Sequence, residues 1–395
     1  MNLKGKNLLI QGAGRGHLGL IQTCKRLGVK TVVTGLRGNY PCITLADKFI
    51  ECDIRNKEGI LKVSRQEKVD GIIICCSDTG LECVGYVNDQ LGLKGISEKA
   101  AELCSDKLKM KTRLVNSNVR TAKYCSIKSK SDIPKALERL EFPLILKATD
   151  LQGSRGIYIV NCESQVFEAF DKVCELTKNP YCILEEFIEG KEFGAQAFVS
   201  DGRVLFVLPH GDETIRCGTN VPIGHYIPFE MNEDTLKDAE RQVIGAIKAL
   251  GLDNCAVNVD LIEKDGKTYI IELTGRVGAN CLPELTSNYF GIDYYEMIIT
   301  EALGGKAELI FSQSQKPKAT MAKMIKSNVN GIVDTVEINN INDCQVTMFV
   351  NAGDEIRVFK NSNDAIGQII AVGKNLKDCN KKIDETIAEI NIRLE

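Results

Sequence analysis

Two carboxylates twelve residues apart, Asp260 and Glu272, flank the dipeptide Asp265-Gly266 in the run from Val259 to Arg276. The β-branched apolar residues on either side predict two strands, and Asp-Gly predicts the tight turn that joins them. A turn near the midpoint sets the two acids across from each other. Facing carboxylates repel, so the pair makes sense with a hard cation between them. Mg²⁺ takes one or two protein carboxylates and completes its shell with water and substrate phosphates. Arg276, four residues after Glu272, puts a planar cation within reach of a transferring phosphoryl group. The alternative is a surface hairpin whose charges are solvated.

Two lysines stand near loops that suit phosphate. Lys107 follows Ser105-Asp106, a good N-cap for the helix beginning Leu108-Lys109-Met110. Lys147 ends the apolar strand 142–147 and opens a small-residue loop that contains Gly153, Ser154 and Gly156. Such a loop lets successive N–H groups converge on phosphate oxygens, and a lysine at its mouth adds a point charge. The alternatives are a solvated lysine and a long hairpin loop that binds nothing. Residues 181–193 read as a strand, a Gly turn and a second strand. Their backbone has N–H and C=O groups to offer a flat base, and Glu192 an acceptor for ribose hydroxyls. An acid-rich turn of this kind is also common as a solvated loop. The polar, glycine-containing stretch from Pro209-His210 to Gly224-His225 has no pattern and predicts a long functional loop.

The elements that carry these residues follow from periodicity. A strand at 8–11, the loop from Gly12 to Gly19, a helix to Leu27 and a strand at 32–34 make a βαβ unit. The loop departs from the dinucleotide fingerprint because His17 stands where a third glycine belongs, and no acid ends the second strand. NAD is therefore disfavoured. Residues 72–76, which include Cys75-Cys76, read as a further buried strand. An amphipathic helix is expected from about Asn232 to Leu250, with Gly251 as its stop. Beyond about 306, short alternating strands and a glycine turn at Gly353 precede a charged amphipathic tail helix from about Leu376.

Composition narrows the classes. With 395 residues the chain is long enough for two or three domains, and its net charge of −3 makes no electrostatic case for nucleic acid or anionic membrane. There is no Trp and no aromatic–basic cluster for stacking bases. Sixteen cysteines occur with no CxxC spacing and only three histidines, so reduced buried thiols in a cytoplasmic protein are expected rather than a zinc site. No apolar run is long enough for a signal peptide or a membrane span.

Taken together, these motifs in this order resemble the ATP-grasp superfamily over nearly the whole chain. The likeness is strongest to the branch with carbamoyl-phosphate synthase large chain, biotin carboxylase and the L-amino acid ligases. The resemblance implies a mixed α/β and α+β fold. It divides into an N-terminal Rossmann-like preATP-grasp domain (1–104), a two-lobed ATP-grasp domain (105–305, mobile lobe about 118–190) and a small C-terminal α+β lid (306–395). It implies ATP and Mg²⁺, with Mn²⁺ as a substitute. It assigns phosphate contacts to Lys107 and Lys147, and the flexible loop to 150–156, with Gly153, Ser154 and Gly156. The adenine hinge falls on Glu185, Glu186, Phe187 and Ile188, with Glu192 on the ribose. His225 faces phosphate or substrate, with a structural histidine as the alternative. The metal ligands become Asp260, Glu272 and Thr274, the last standing where the family has Asn, and Arg276 and Lys147 become catalytic. The implied reaction is ADP-forming ligation of a carboxylate to an amine through an acyl phosphate. The partners are two small molecules, with no nucleic acid or membrane, and homodimers are frequent in this branch. Three alternatives stand beside this one: a bicarbonate-activating enzyme working through carboxyphosphate, an NAD-dependent oxidoreductase built on the Gly12 loop, and a silent nucleotide-binding subunit.

Overall fold

The computed structural model describes residues 1–151, 155–217, 219–308 and 318–395. The chain forms two compact units. The first comprises Met1–Val207, Met231–Val277 and Tyr295–Glu308; the second comprises Leu208–Glu230, Gly278–Tyr294 and Leu309–Glu395.

The first unit contains three sheets. A parallel one has the strand order Lys48–Glu51, Lys30–Gly35, Asn7–Gln11, Gly71–Ile74. The strands at its centre are continuous apolar runs, as burial on both faces demands. The glycine loop after the first strand is not open. Gly12 has φ +99°, and a Cβ there would lie 2.8 Å from Cε1 of the buried His17 ring. His17 Nε2 accepts the backbone N–H of Cys75 (3.3 Å), so this histidine ties two strand ends together. The Gly71 strand ends at Ile74, short of the expected Cys75-Cys76. Cys76 has φ +60°, a left-handed conformation that no strand tolerates.

An antiparallel sheet runs Tyr124–Ile127, Cys182–Glu186, Leu144–Ala148, Ile157–Val160. The Glu163–Cys174 helix packs Val166, Phe170 and Val173 with Ile127, Leu144, Leu146 and Leu184. The third sheet joins Lys191–Ser200, Cys255–Lys264 and Lys267–Thr274. Its last two strands turn at Asp265 (φ 53°) and Gly266 (φ 73°), the two positive φ values of the primed hairpin turn that Asp-Gly favours. The Glu233–Leu250 helix is capped by Asn232, which accepts from Thr235 N, and stops at left-handed Gly251.

In the second unit the stretch expected to be a loop is a ribbon. Arg203–Cys217 and Thr219–Ile227 pair antiparallel, with Asp212 opposite His225, and Thr219–Ile227 pairs in turn with Ala319–Lys326. The ladder needs only backbone groups, and the ribbon's mixed polar sequence hid its period. Ala365–Gly373 and Gln345–Met348 extend the pairing. The tail helix also ends sooner than expected. It spans Leu376–Ala388, and Ile390–Leu394 is a strand beside Gly331–Ile338, where alternation replaces the helical period. Val333, Ile369, Ala371, Cys379 and Ile383 form the core of this unit.

Candidate active site

The hairpin places its acids as the spacing predicts. Asp260 pairs directly with Glu272, and Asn258 with Thr274. Opposite residues in a ladder share a face, and so do residues two apart, so Asn258, Asp260, Glu272 and Thr274 project to one side. Val259, Leu261 and Leu273 are buried on the other. A bulge follows the acid pair, since Leu261 pairs with Ile270 and Ile271 is the extra residue. Bulges of this kind break the local ladder and re-aim side chains. Asn258 was not singled out from sequence, although the period of two carries it onto the acid face. It accepts from Gln196 Nε2 (2.6 Å), and its Nδ2 lies 3.4 Å from Asp260 Oδ1.

Lys107 meets this face. Asp106 caps the Lys107–Asn116 helix by accepting from Leu108 N and Lys109 N. Its other carboxylate oxygen takes the Tyr181 hydroxyl at 2.6 Å, an interaction that pushes that phenol up to about 12. Lys107 Nζ donates to Glu272 Oε1 (3.1 Å) and to Leu151 O (2.9 Å). Burial works against its charge, but the Glu272 carboxylate prevails and holds the ammonium above its ordinary range.

Lys147 sits one strand away from a second buried centre. Glu185 Oε2 accepts from Lys147 (3.1 Å) and lies 3.2 Å from Lys111 Nζ. Glu185 and Lys111 are each 1% exposed at the side chain. Burial raises the Glu185 carboxyl, yet the two ammoniums outweigh it and keep it ionised below its usual range. Lys111 is pulled below its ordinary value by burial. It was not singled out either, though it lies one turn after Lys107 on the same helix. Two lysines at that spacing repel unless acids separate them, and here Glu272 and Glu185 do so.

Arg276 and Thr274 converge on Asp78, which sits in the loop after the Gly71–Ile74 strand. Arg276 Nε donates to Asp78 Oδ1 (2.6 Å) and Nη2 to Oδ2 (2.7 Å). The Thr274 hydroxyl donates to Oδ1 (2.7 Å). Burial opposes both charges, but the pair wins, so Asp78 lies below and Arg276 above its ordinary value. Asp78 was missed in the sequence. The available signal was its place past the carboxyl end of a parallel strand, where α/β sheets put ligand groups.

The remaining expected residues fall as follows. Gly156 has φ +65° and its carbonyl accepts from Ala148 N (2.9 Å), while Gly153 and Ser154 lie outside the described residues. Glu186 N donates to Lys123 O and Phe187 N to Pro143 O, both at 2.9 Å. Ile188 is half-buried and Glu192 exposed at the start of the next strand. His225 belongs to the second unit, where its Nδ1 lies 2.6 Å from Asp212.

These residues fit a divalent metal and a phosphorylated ligand. Two carboxylates and an amide oxygen on one strand face form a hard-oxygen donor set, suited to Mg²⁺ or Mn²⁺. The buried ammoniums of Lys107 and Lys147 have the charge that phosphate oxygens call for. Among the described residues Glu185 Oε1 is buried with no hydrogen-bond partner, an acceptor left over in a centre built from cations.

An ATP-grasp domain model matches residues 140–284, and a model described as L-amino acid ligase C-terminal domain 2 matches residues 332–395. Alanine–anticapsin ligase of Bacillus subtilis is 28% identical over 279 residues. That alignment takes in 63% of this chain and 57% of the relative, so the chain spans little more than half the length of the curated relatives it matches. The crystal structure of phosphoribosylglycinamide synthetase from Anaerococcus prevotii is similar at 45% identity and a TM-score of 0.88, covering 99% of this chain and 100% of that one. L-amino acid ligase from Bacillus licheniformis shares the fold at 21% identity, with a TM-score of 0.80 over 99% of each chain. Among the described residues no helix is long and apolar enough to cross a membrane. With the ATP-grasp match running from Lys147 through the acid hairpin to Arg276, and a relative alike from end to end at 45% identity, the chain belongs to the ATP-grasp family, whose enzymes use ATP and a divalent metal.

Proposed function

We propose that the protein is an ADP-forming ligase that joins a small carboxylate, in the first instance an amino acid, to an amine. The observation that carries this reading is the Lys107–Glu272 contact at the Asp260/Glu272 pair, which sets a phosphate-type cation against a metal-type acid. Glu272 and Asp260 would hold the divalent ion, with Asn258 beside them. Thr274 stands on the same face, with its hydroxyl given to Asp78. Bound there, the ion supplies charge neutralisation of the transferring phosphate oxygens.

The chain's own residues account for the rest. The substrate carboxylate attacks the γ-phosphorus of ATP, the bond to the ADP oxygen breaks, and an acyl phosphate results. Lys107 and Lys147 meet the charge that develops on phosphate oxygens. Arg276, held in one orientation by both oxygens of Asp78, presents its remaining donors. Glu185 holds Lys147 in place through its Oε2. The amine then attacks the acyl carbon, phosphate leaves, and the amine proton passes to solvent. The ladder uses the N–H groups of Glu186 and Phe187, so a base reading this edge would meet the Ile188 N–H and the carbonyls. Glu192 at the exposed start of the next strand suits ribose hydroxyls.

Phosphoribosylglycinamide synthetase is named for a glycinamide product, and alanine–anticapsin ligase for the alanine it joins. Glycine and alanine therefore lead the substrate panel. The experiment is ADP release with Mg²⁺-ATP across amino acids and other carboxylic acids, with and without amines, with hydroxylamine as a trap. ADP that appears with one acid, together with its hydroxamate, supports the reading. ADP driven by bicarbonate alone replaces it with carboxyphosphate chemistry. A homodimer is proposed as the solution state, to be checked by light scattering.

A further inference from the structure

Two of the chain's three histidines stand together in the second unit. Asp212 and His225 are direct cross-strand partners, and His210 lies two residues before Asp212. All three side chains therefore share one face of the ribbon. Asp212 Oδ1 lies 2.9 Å from His210 Nδ1 and 2.6 Å from His225 Nδ1. The rings meet edge to face with centroids 5.3 Å apart. Among the described residues, these three bring ligand atoms within 4.8 Å of one another.

We propose that His210, Asp212 and His225 form a metal site of their own in the second unit, for a borderline divalent ion of the Zn²⁺ or Co²⁺ class. The donor set is two imidazole nitrogens and one carboxylate oxygen, which selects such ions over Mg²⁺ or Ca²⁺. The spacing is close to what an ion needs. Ligands about 2.1 Å from a metal stand roughly 3.0 Å apart when cis in an octahedron and roughly 3.4 Å apart in a tetrahedron. The rings would open from Asp212 by well under an ångström on one side and slightly more on the other. Both histidines are buried, 2% and 6% exposed, whereas the Asp212 side chain is 24% exposed and leaves a solvent side for an exchangeable ligand.

The protonation states suit the proposal. An ionised carboxylate only accepts, so without metal each ring carries its hydrogen on Nδ1. Burial holds His210 below its ordinary value. Burial tends to raise Asp212, but its two imidazole partners override this and keep it ionised. The ion would staple Arg203–Cys217 to Thr219–Ile227 at the Asp212–His225 rung. This site stands independently of the nucleotide reading.

The test is a Co²⁺ titration of the full chain in excess Mg²⁺, read by visible d–d absorption and by calorimetry. The expected result is one Co²⁺ per chain with two-nitrogen, one-oxygen spectral character, displaced by Zn²⁺. Asp212→Asn and His225→Gln should each weaken binding by more than about tenfold, since even outer-shell losses cost 10–100-fold. Glu272→Gln, in the acid hairpin, should leave it unchanged. No d–d band in the wild type, or a band that survives in both ribbon variants, overturns the site. Binding lost only in Glu272→Gln would assign the ion to the acid hairpin and likewise overturn it. If Asp212→Asn fails to give the wild-type circular dichroism, His225→Gln and His210→Asn decide.

Discussion

Replacing Asp78 with Asn tests whether the N-terminal loop fixes Arg276. The substitution keeps the volume and one acceptor oxygen, but it swaps Oδ2, 2.7 Å from Arg276 Nη2, for an NH₂ group that points donor at donor. Breaking a fully buried ion pair costs about 3–5 kcal/mol, because one charge is stranded. The side chains here are 20% and 12% exposed, so water recovers part of that. The expected loss is about 2–4 kcal/mol at neutral pH. The assay is a double-mutant cycle with Arg276→Gln, using denaturant unfolding followed by tyrosine fluorescence; the chain has no Trp and ten Tyr. The coupling should reach about 2 kcal/mol. Asp78 is depressed in the folded state, so its contribution is fully present above the unfolded carboxyl value of about 3.9 and fades as pH falls through the lower folded value. A coupling within about 0.5 kcal/mol of zero at pH 7 would refute the clamp, since independent sites add within that margin.

Other perturbations reach the rest of the site. Glu272→Gln removes the acid that Lys107 meets and one hard metal donor, so Mg²⁺-ATP affinity by calorimetry should fall at least about tenfold; unchanged affinity removes Glu272 from the site. Glu185→Gln leaves Lys111 and Lys147 without their shared counter-charge and should cost about 3–5 kcal/mol of unfolding free energy, whereas Lys111→Met should cost less than half of that; equal costs would contradict the shared-carboxylate account. Burial depresses His17 from 6.5 to about 4, so its contribution is complete above pH 6.5 and is lost as pH falls toward 4, by up to about 3 kcal/mol. The His17→Gln chain should lack that slope between those pH values; an identical slope would show that other groups carry it. Gly266→Ala forces a Cβ onto φ 73° in the hairpin turn and should destabilise by about 1 kcal/mol; no change in the denaturation midpoint would contradict the strain.

Much of this molecule was legible along the chain because its signals are local. Asp-Gly requires two positive φ values, and a period of two then puts Asp260 opposite Glu272 whatever surrounds them. Asn232 and Gly251 cap their helix through backbone groups a few residues away, which pattern reading detects. The 203–227 ribbon escaped notice because its order comes from pairing, first with itself and then with Ala319–Lys326, about a hundred residues on. The tail escaped for the same reason: Ile390–Leu394 is a strand only because Gly331–Ile338 lies beside it.

The sequence by itself determined the chemical inventory: the acids of the hairpin, the lysines of the phosphate type and the order in which they occur. Only the tertiary structure decided how those charges are partnered. Lys111 finds its counter-charge in Glu185, from another sheet segment further along the chain. Asp78 meets Arg276, which lies 198 positions further along the chain. Ionisation at such places depends on desolvation and on counter-charges that arrive from distant segments, and neither is written in local spacing.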